Sequence, residues 1–354
     1  MDMIIFAPNV HRGGGLVLLA ALCQHWPEHR RCLAFLDARA QSSVKVPPRW
    51  DVRWVPRSFL GRLRAERQLA RLSRQADRVL CFHNLPPVFH CDSQVICFVQ
   101  NLNLIEISDP TSLSGWVRVR HAAERFIART FRANVDRYVV QTPTMARALR
   151  HWLPGGPGAA EVSIRQMPFI DPQALPAPKS IDAPEANQWD FIYVSDGQAH
   201  KNHARLFEAW AILSEEGLRP SLAVTLNPDH DGALVASLVK YVARHQVDIV
   251  NLGQMPHSEL LSCYGRAKAM LFASFAESFG IPFLEARAAG LPIVAAELDF
   301  VRDMCEPVET FDPFSAVSIA RSVKRFLGKG EPPLQPLTPR DFIDELIALE
   351  SPSH

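Results

Sequence analysis

The sequence has no apolar run that reaches the ~18 residues needed to cross a bilayer. Its first residues, MDMIIFAPNV, carry neither a charged leader nor a long apolar segment. A membrane-spanning or secreted chain is therefore not expected. The seven cysteines (23, 32, 81, 91, 97, 263 and 305) are odd in number and contain no CxxC pair. Several lie inside apolar runs, as small core residues do, and a reducing cytoplasm is the expected setting. HExxH is absent. The denser clusters of potential ligands, His200 with His203 and Asp229-His230-Asp231, lack metal-site spacing, so no metal is expected. There is no repeat of about 20–50 residues and no GxGxxG fingerprint, so NAD binding is not read from the sequence.

At about 150 residues per domain, a chain of 354 suggests two domains. Hydrophobic residues at 47% and charged residues at 21% describe a soluble globular chain with ample core. The net charge of +1 hides an asymmetry. Residues 1–170 hold 23 Lys and Arg against 12 Asp and Glu, a net +11 supplied almost wholly by arginine, whereas 171–354 hold 15 against 25, a net −10. A basic half points to an anionic partner on that half. Two stretches concentrate it: 59–76, with Arg62, Arg64, Arg67, Arg71 and Arg74, and 115–131, with Arg118, Arg120, Arg125 and Arg129. Both read as helices with one face on the core, and both would also suit anionic lipid headgroups. They lack the interleaved aromatics of a nucleic-acid module, so no nucleic-acid partner is expected.

Apolar runs alternate with helical stretches along the chain. Residues 3–7 read as a strand, 9–15 as a loop with three consecutive glycines, and 16–23 as a helix, the first unit of a doubly wound sheet. Three glycines exceed what a tight turn needs, so Gly13, Gly14 and Gly15 are read as backbone over which a ligand lies. Further strands are expected at 31–36, 52–55, 78–82, 95–99 and 136–141. Polar residues follow two of them, His83-Asn84 and Gln100-Asn101, where such a sheet keeps its site. His83, Gln100 and Asn101 become candidates on that ground, although a lone histidine there often only packs a loop. From 154 to 190 the composition changes to GGPG and a proline-rich tract, which reads as linker. A second alternation follows, with strands at 191–195, 222–226, 248–252, 269–275 and 292–296, and a closing amphipathic helix at 339–349. The expected division is 1–170, 171–335, and a helical segment at 336–354 that packs back on the first domain.

That second half is organised around 269–297, AMLFASFAESFGIPFLEARAAGLPIVAAE. A buried strand gives out at Ala276-Glu277-Ser278-Phe279-Gly280, Pro282 opens a helix, and Gly290 ends it. Glu277 thus stands at the sheet edge where α/β proteins bind ligands, and Glu285 about one turn into the helix. The unpaired N–H groups of such a helix start attract anions.

Glu277 to Ala286, ESFGIPFLEA, resembles the E-x7-E signature of the family 4 retaining glycosyltransferases. Three further pieces agree in order and spacing. Tyr193-Val194-Ser195 through His200-Lys201-Asn202-His203 resembles the family's strand and lysine loop. Val250-Asn251-Leu252-Gly253 with Leu260 to Tyr264 resembles its nucleotide-side segment, and Thr310-Phe311-Asp312-Pro313 its turn. The resemblance covers about residues 190–330; the first half matches as a Rossmann-like domain with a glycine loop.

The resemblance implies an α/β chain of GT-B fold, two Rossmann-like doubly wound domains facing each other across a cleft. It implies metal-independent, retaining transfer from a nucleotide-sugar donor (UDP- or GDP-linked) to a saccharide or lipid-linked acceptor, as in surface polysaccharide synthesis, with no cofactor. Glu277, Lys201 and His83 would be catalytic. Glu285, Gly280, Ile281, Ser278, Phe279 and Gly253 would hold the donor, and Gly13, Gly14, Gly15, Gln100 and Asn101 would lie on the acceptor side. The basic half would rest on the cytoplasmic face of the membrane. One departure stands out: many relatives carry an arginine five residues before the lysine, and here that position is Asp196, an acid that would repel a diphosphate if it pointed inward. Two other classes share the architecture, a nucleotide-sugar epimerase and a non-catalytic nucleotide-sugar-binding protein.

Overall fold

The computed structural model describes residues 1–105, 115–153, 163–176 and 187–330. The helix expected at 339–349 lies outside them. The first sheet contains β1 (Met3–Ala7), β2 (Cys32–Asp37), β3 (Trp50–Val55), β4 (Arg78–Cys81), β5 (Gln94–Phe98), β6 (Arg137–Val140) and β7 (Ser163–Gln166), in the order β3-β2-β1-β4-β5-β6-β7. The second contains β8 (Trp189–Tyr193), β9 (Leu222–Val224), β10 (Ile249–Asn251), β11 (Ala267–Phe272), β12 (Ile293–Ala296) and β13 (Glu309–Phe311), in the order β10-β9-β8-β11-β12-β13. Neighbouring strands are parallel in both sheets. A parallel strand needs a crossover, which explains the alternation of apolar runs with helices. The strand order reverses between β1 and β4 and again between β8 and β11. These are the two switch points where ligands bind in such sheets.

The helices are α1 (Gly13–Gln24), α2 (Phe59–Ser73), α3 (Leu102–Ile105), α4 (Gly115–Thr130) and α5 (Pro143–Trp152) in the first half, and α6 (His203–Glu215), α7 (Pro228–His245), α8 (His257–Gly265), α9 (Ile281–Ala288), α10 (Asp299–Arg302) and α11 (Ala316–Phe326) in the second. Two starts differ from expectation. The glycines at 13–15 are not a loop before α1 but its first turn. The second is the helix after Thr310-Phe311-Asp312-Pro313, for which Asp312-Pro313-Phe314 is the cap the sequence suggests. Asp312 Oδ1 accepts from the Phe314 amide, and Ser315 supplies the cap by accepting from Ser318 N–H at 3.1 Å.

Strands flanked by helices on both faces must be apolar throughout. All six residues of β2, CLAFLD, are buried, as are the last four of β11. The core of the second sheet is built on Phe191, fully buried, edge-on to Trp210 at 5.8 Å and tilted against Phe326 at 5.4 Å. Direct contacts join the two halves. Leu102 N–H donates to Ser278 Oγ at 2.7 Å, Thr144 N–H to Asp303 Oδ2 at 2.7 Å, and Arg147 pairs with Asp299 at 3.2 Å.

Phe191→Ala empties a site bounded by two aromatics and should destabilise the second domain by about 3–5 kcal/mol. Urea titration followed by tryptophan fluorescence reads this as a lowered midpoint for that domain's transition.

Candidate active site

The carboxyl ends of β8 and β11 face those of β1, β5 and β6 across a cleft. The cavity between them, about 270 Å³, is lined by Gly14, Gly15, Gln100, Gln141, Lys201 and the run from Glu277 to Pro282. Its second-domain wall is made of three loops tied together. Asn202, which ends the loop after β8 in a left-handed conformation (φ 62°), donates through its side-chain amide to Ala273 O at 3.1 Å and to Pro313 O at 2.8 Å. Tyr193 O–H donates to Lys201 O at 2.7 Å. The Phe275 amide donates to His200 O at 2.8 Å, and Phe275 stacks on Phe314 at 4.7 Å. Lys201 is thereby held with its Nζ 2.5 Å from Glu277 Oε1, both side chains more than four-fifths buried.

Gly280 follows with φ +69°, and a Cβ there would stand 2.6 Å from the Phe283 ring. Conformation and space both require glycine, and that brings backbone N–H groups to the cleft at the start of α9. Opposite lies the glycine turn of α1. A Cβ on Gly14 would meet Ile281 Cδ1 at 3.5 Å, so the two helix starts approach closely.

Glu285 lies apart from this pair, one turn into α9. It is 3% exposed, with Oε1 2.7 Å from His257 Nε2 and Oε2 accepting from Tyr264 O–H at 2.7 Å. The hydrogen bond to the Glu285 carboxylate raises the His257 pKa above the ordinary imidazole range. Burial, with the Glu285 charge beside it, holds the Tyr264 phenol well above its ordinary value. Expected as an open acceptor, Glu285 instead has both oxygens engaged. Each oxygen carries a second lone pair.

Other candidates differ in placement. Ser278 Oγ accepts from Leu102 N–H, and Phe279 is buried in the second domain's core, so these side chains are committed to protein contacts. Gly253, with φ +74°, lies between β10 and α8, the helix that carries His257 and Tyr264. Asp196 is exposed and turned to its own loop, accepting from Gln198 Nε2 at 2.6 Å. It does not line the cleft cavity, and Arg205 is drawn to Glu208 at 2.6 Å.

His83 and Asn101 line a second, larger cavity of about 650 Å³ in the first domain. His83 is 4% exposed, with Nδ1 3.0 Å from Phe6 O. A carbonyl only accepts, so Nδ1 carries the hydrogen and Nε2 offers a lone pair. Burial, with Arg62 nearby, holds the His83 pKa well below the ordinary range and keeps the ring neutral. Among the described residues its Nε2 is buried without a hydrogen-bond partner, as are Gln100 Oε1 and Gln141 Nε2. Gln141 was not anticipated, although it follows β6 just as His83 and Gln100 follow their strands. Among the described residues no three His, Cys, Asp or Glu side chains converge as a metal site, and no helix is long and apolar enough to cross a membrane.

Residues 179–336 match the family model described as glycosyl transferases group 1. Among curated relatives, the serotype-specific mannosyltransferase WbdA of Escherichia coli is 27% identical over 141 residues, which is 39% of this chain and 17% of that protein. Glycogen synthase of Mycobacterium tuberculosis is 27% identical over 207 residues, 56% of this chain and 47% of that one. The chain thus spans under half the length of the curated relatives it matches. Anabaena HepE in complex with UDP-glucose superposes with a TM-score of 0.67 at 15% identity, over 92% of this chain and 90% of that one. The fold is GT-B, with the expected pair of Rossmann-like domains.

Tyr264→Phe leaves one oxygen of a buried carboxylate without its donor and should cost about 1–3 kcal/mol in denaturant midpoint. The His257 contribution has a defined sign. With a folded pKa above its unfolded value near 6.5, it is fully present below that value and is lost as pH rises through the raised pKa. The stability gap between the wild type and His257→Gln should therefore close toward alkaline pH in a series of urea titrations.

Proposed function

We propose, from the premise that the second domain belongs to the glycosyl transferases group 1 family, that this protein moves a sugar from a nucleotide-diphosphate donor to a saccharide or lipid-linked acceptor in surface polysaccharide synthesis. The observation that carries it is the Lys201–Glu277 pair beside the start of α9, inside the matched region and opposite the glycine turn of α1. Transfer breaks the anomeric C–O bond, and the nucleoside diphosphate departs with growing negative charge. Preorganised cations and N–H donors stabilise that charge. Lys201 supplies a cation that need not be recruited from water, and the N–H groups after Gly280 supply donors.

Glu277 keeps one oxygen for the donor sugar's hydroxyls while the other holds Lys201 in place. Glu285 offers its remaining lone pairs to the ribose. In this reading the reaction retains anomeric configuration, the leaving phosphate takes the acceptor's proton, and the required positive charge comes from protein rather than from a metal ion. His83 Nε2, neutral and lone-pair bearing, accepts from a sugar hydroxyl. Peripheral membrane contact at the cytoplasmic face belongs to the same proposal. Phe59 and Leu60, exposed by 80% and 64%, open the arginine-rich α2, and Phe126 is exposed by 67% on α4. Such apolar tips among arginines suit an anionic interface. The similarity to mannosyltransferases, one of them named for the O-antigen chain, and to a UDP-glucose-binding structure supports the class of donor and product.

A thermal-shift panel of UDP-, GDP- and ADP-sugars tests it. A donor at a hundred times its Kd should stabilise by about 2.7 kcal/mol, and Lys201→Met should lower kcat for transfer by ~10²–10³ with the fold intact. A flat panel with unchanged turnover in Lys201→Met would sink the proposal, and formation of an epimer from UDP-sugar alone would replace it with an isomerase.

A further inference from the structure

The larger cavity of the first domain is not accounted for by the donor. Four of its lining residues are arginines, Arg12, Arg39, Arg57 and Arg120, against one carboxylate, Glu124. Glu124 is already drawn to Arg120 at 3.8 Å and to His121 at 3.5 Å. Arg39 is set in place from below. Asp37, 1% exposed at the end of β2, takes its Nε at 2.9 Å and its second terminal nitrogen at 2.6 Å. That bidentate grip fixes the guanidinium plane and leaves its remaining N–H donors for another acceptor. Among the described residues, Arg12 and Arg57 have neither an ion pair nor a hydrogen-bond partner. Several guanidinium groups around one cavity repel each other, and the protein leaves two of them uncompensated. A bound anion would supply the missing charge.

The cavity also adjoins the cleft. Gln100 lines the cleft and the next residue, Asn101, lines this cavity, whose wall includes the buried, unpartnered Nε2 of His83. A side bay shared by Arg39 and Arg57 continues to the exposed Phe59.

We propose that the acceptor is anionic, and that its phosphate or carboxylate binds in this cavity through Arg12 and Arg57, with Arg39 fixed beside them by Asp37. The word acceptor rests on the glycosyl-transfer reading; anion binding by the cavity does not. A phosphate would come from a lipid carrier, with Phe59 beside the alkyl chain, and a carboxylate from an acidic sugar.

Isothermal titration of the full chain with octyl diphosphate, methyl glucuronoside and, as the neutral control, methyl glucoside separates these sources. At least one anionic probe should bind and the neutral control should not. Arg12→Gln and Arg57→Gln should each weaken the anion about tenfold, as befits loss of a charged hydrogen bond, and added salt should weaken it further. Lys201→Met should leave probe affinity unchanged, and the arginine variants should keep the nucleotide-sugar thermal shift. Failure of both anionic probes to bind would overturn the proposal. So would binding that is lost in Lys201→Met and kept in the arginine variants, because the anion would then sit on the donor side. Anion binding through the arginines with a flat nucleotide-sugar panel would uphold the cavity and refute the donor reading alone.

Discussion

The second-domain wall of the cleft depends on one side-chain amide. Asn202 is 6% exposed, and its two N–H bonds reach carbonyls on two different loops, at Ala273 and Pro313. Asparagine is one of the few residues that tolerates the left-handed backbone found there. The loop bearing Lys201, the loop leading to Glu277 and the turn after β13 would otherwise be three independent surface segments. Fastened together, they hold a mostly buried ammonium and carboxylate in contact, where solvent screens them less than at the surface.

Charge in this chain is divided between its two halves. Residues 171–354 carry the net −10 and residues 1–170 the net +11. An acidic domain is a poor host for a diphosphate on net charge, and position 196 adds an acid rather than a cation. The acidic groups and the cleft lining differ in direction. Asp196 bonds to its own loop, while Lys201 and the starts of α9 and α1 point at the cleft. Local, buried and oriented groups outweigh distant exposed ones because solvent and salt screen the latter.

The fold was largely legible because parallel strands covered on both faces must be continuous apolar runs, and β1, β2, β8, β11 and β12 read that way. The start of α1 was misplaced for a physical reason. Glycine is the weakest ordinary helix former, so a triple glycine reads as loop, yet the first turn of a helix makes few hydrogen bonds and tolerates it. The strand β13, Glu-Thr-Phe, has only one buried apolar residue and so lacks the apolar run that marked the equally short β9. In the site, Lys201 and Glu277 were singled out by the resemblance of their stretches to a lysine loop and an E-x7-E signature, and the residues close by, Asn202 and Gly280, each have a specific geometric duty. Arg12, Arg39 and Arg57 were not singled out. They come from loops after β1, β2 and β3 that only the strand order gathers at one end of the sheet.

The two glutamates of the signature show why spacing alone underdetermines a role. Both are carboxylates near the start of one helix, yet their environments set them apart. Glu277 precedes the helix and meets an ammonium at the cleft, whereas Glu285 is turned to the domain interior between an imidazole and a phenol. A buried carboxylate without donors is costly, and His257 and Tyr264 remove that cost while fixing its orientation. The segment from Val250 to Tyr264 and the signature at Glu277 to Ala286 are thus one physical unit. Tyr264 closes the first onto the second, and His257 holds the same carboxylate from the other end of α8.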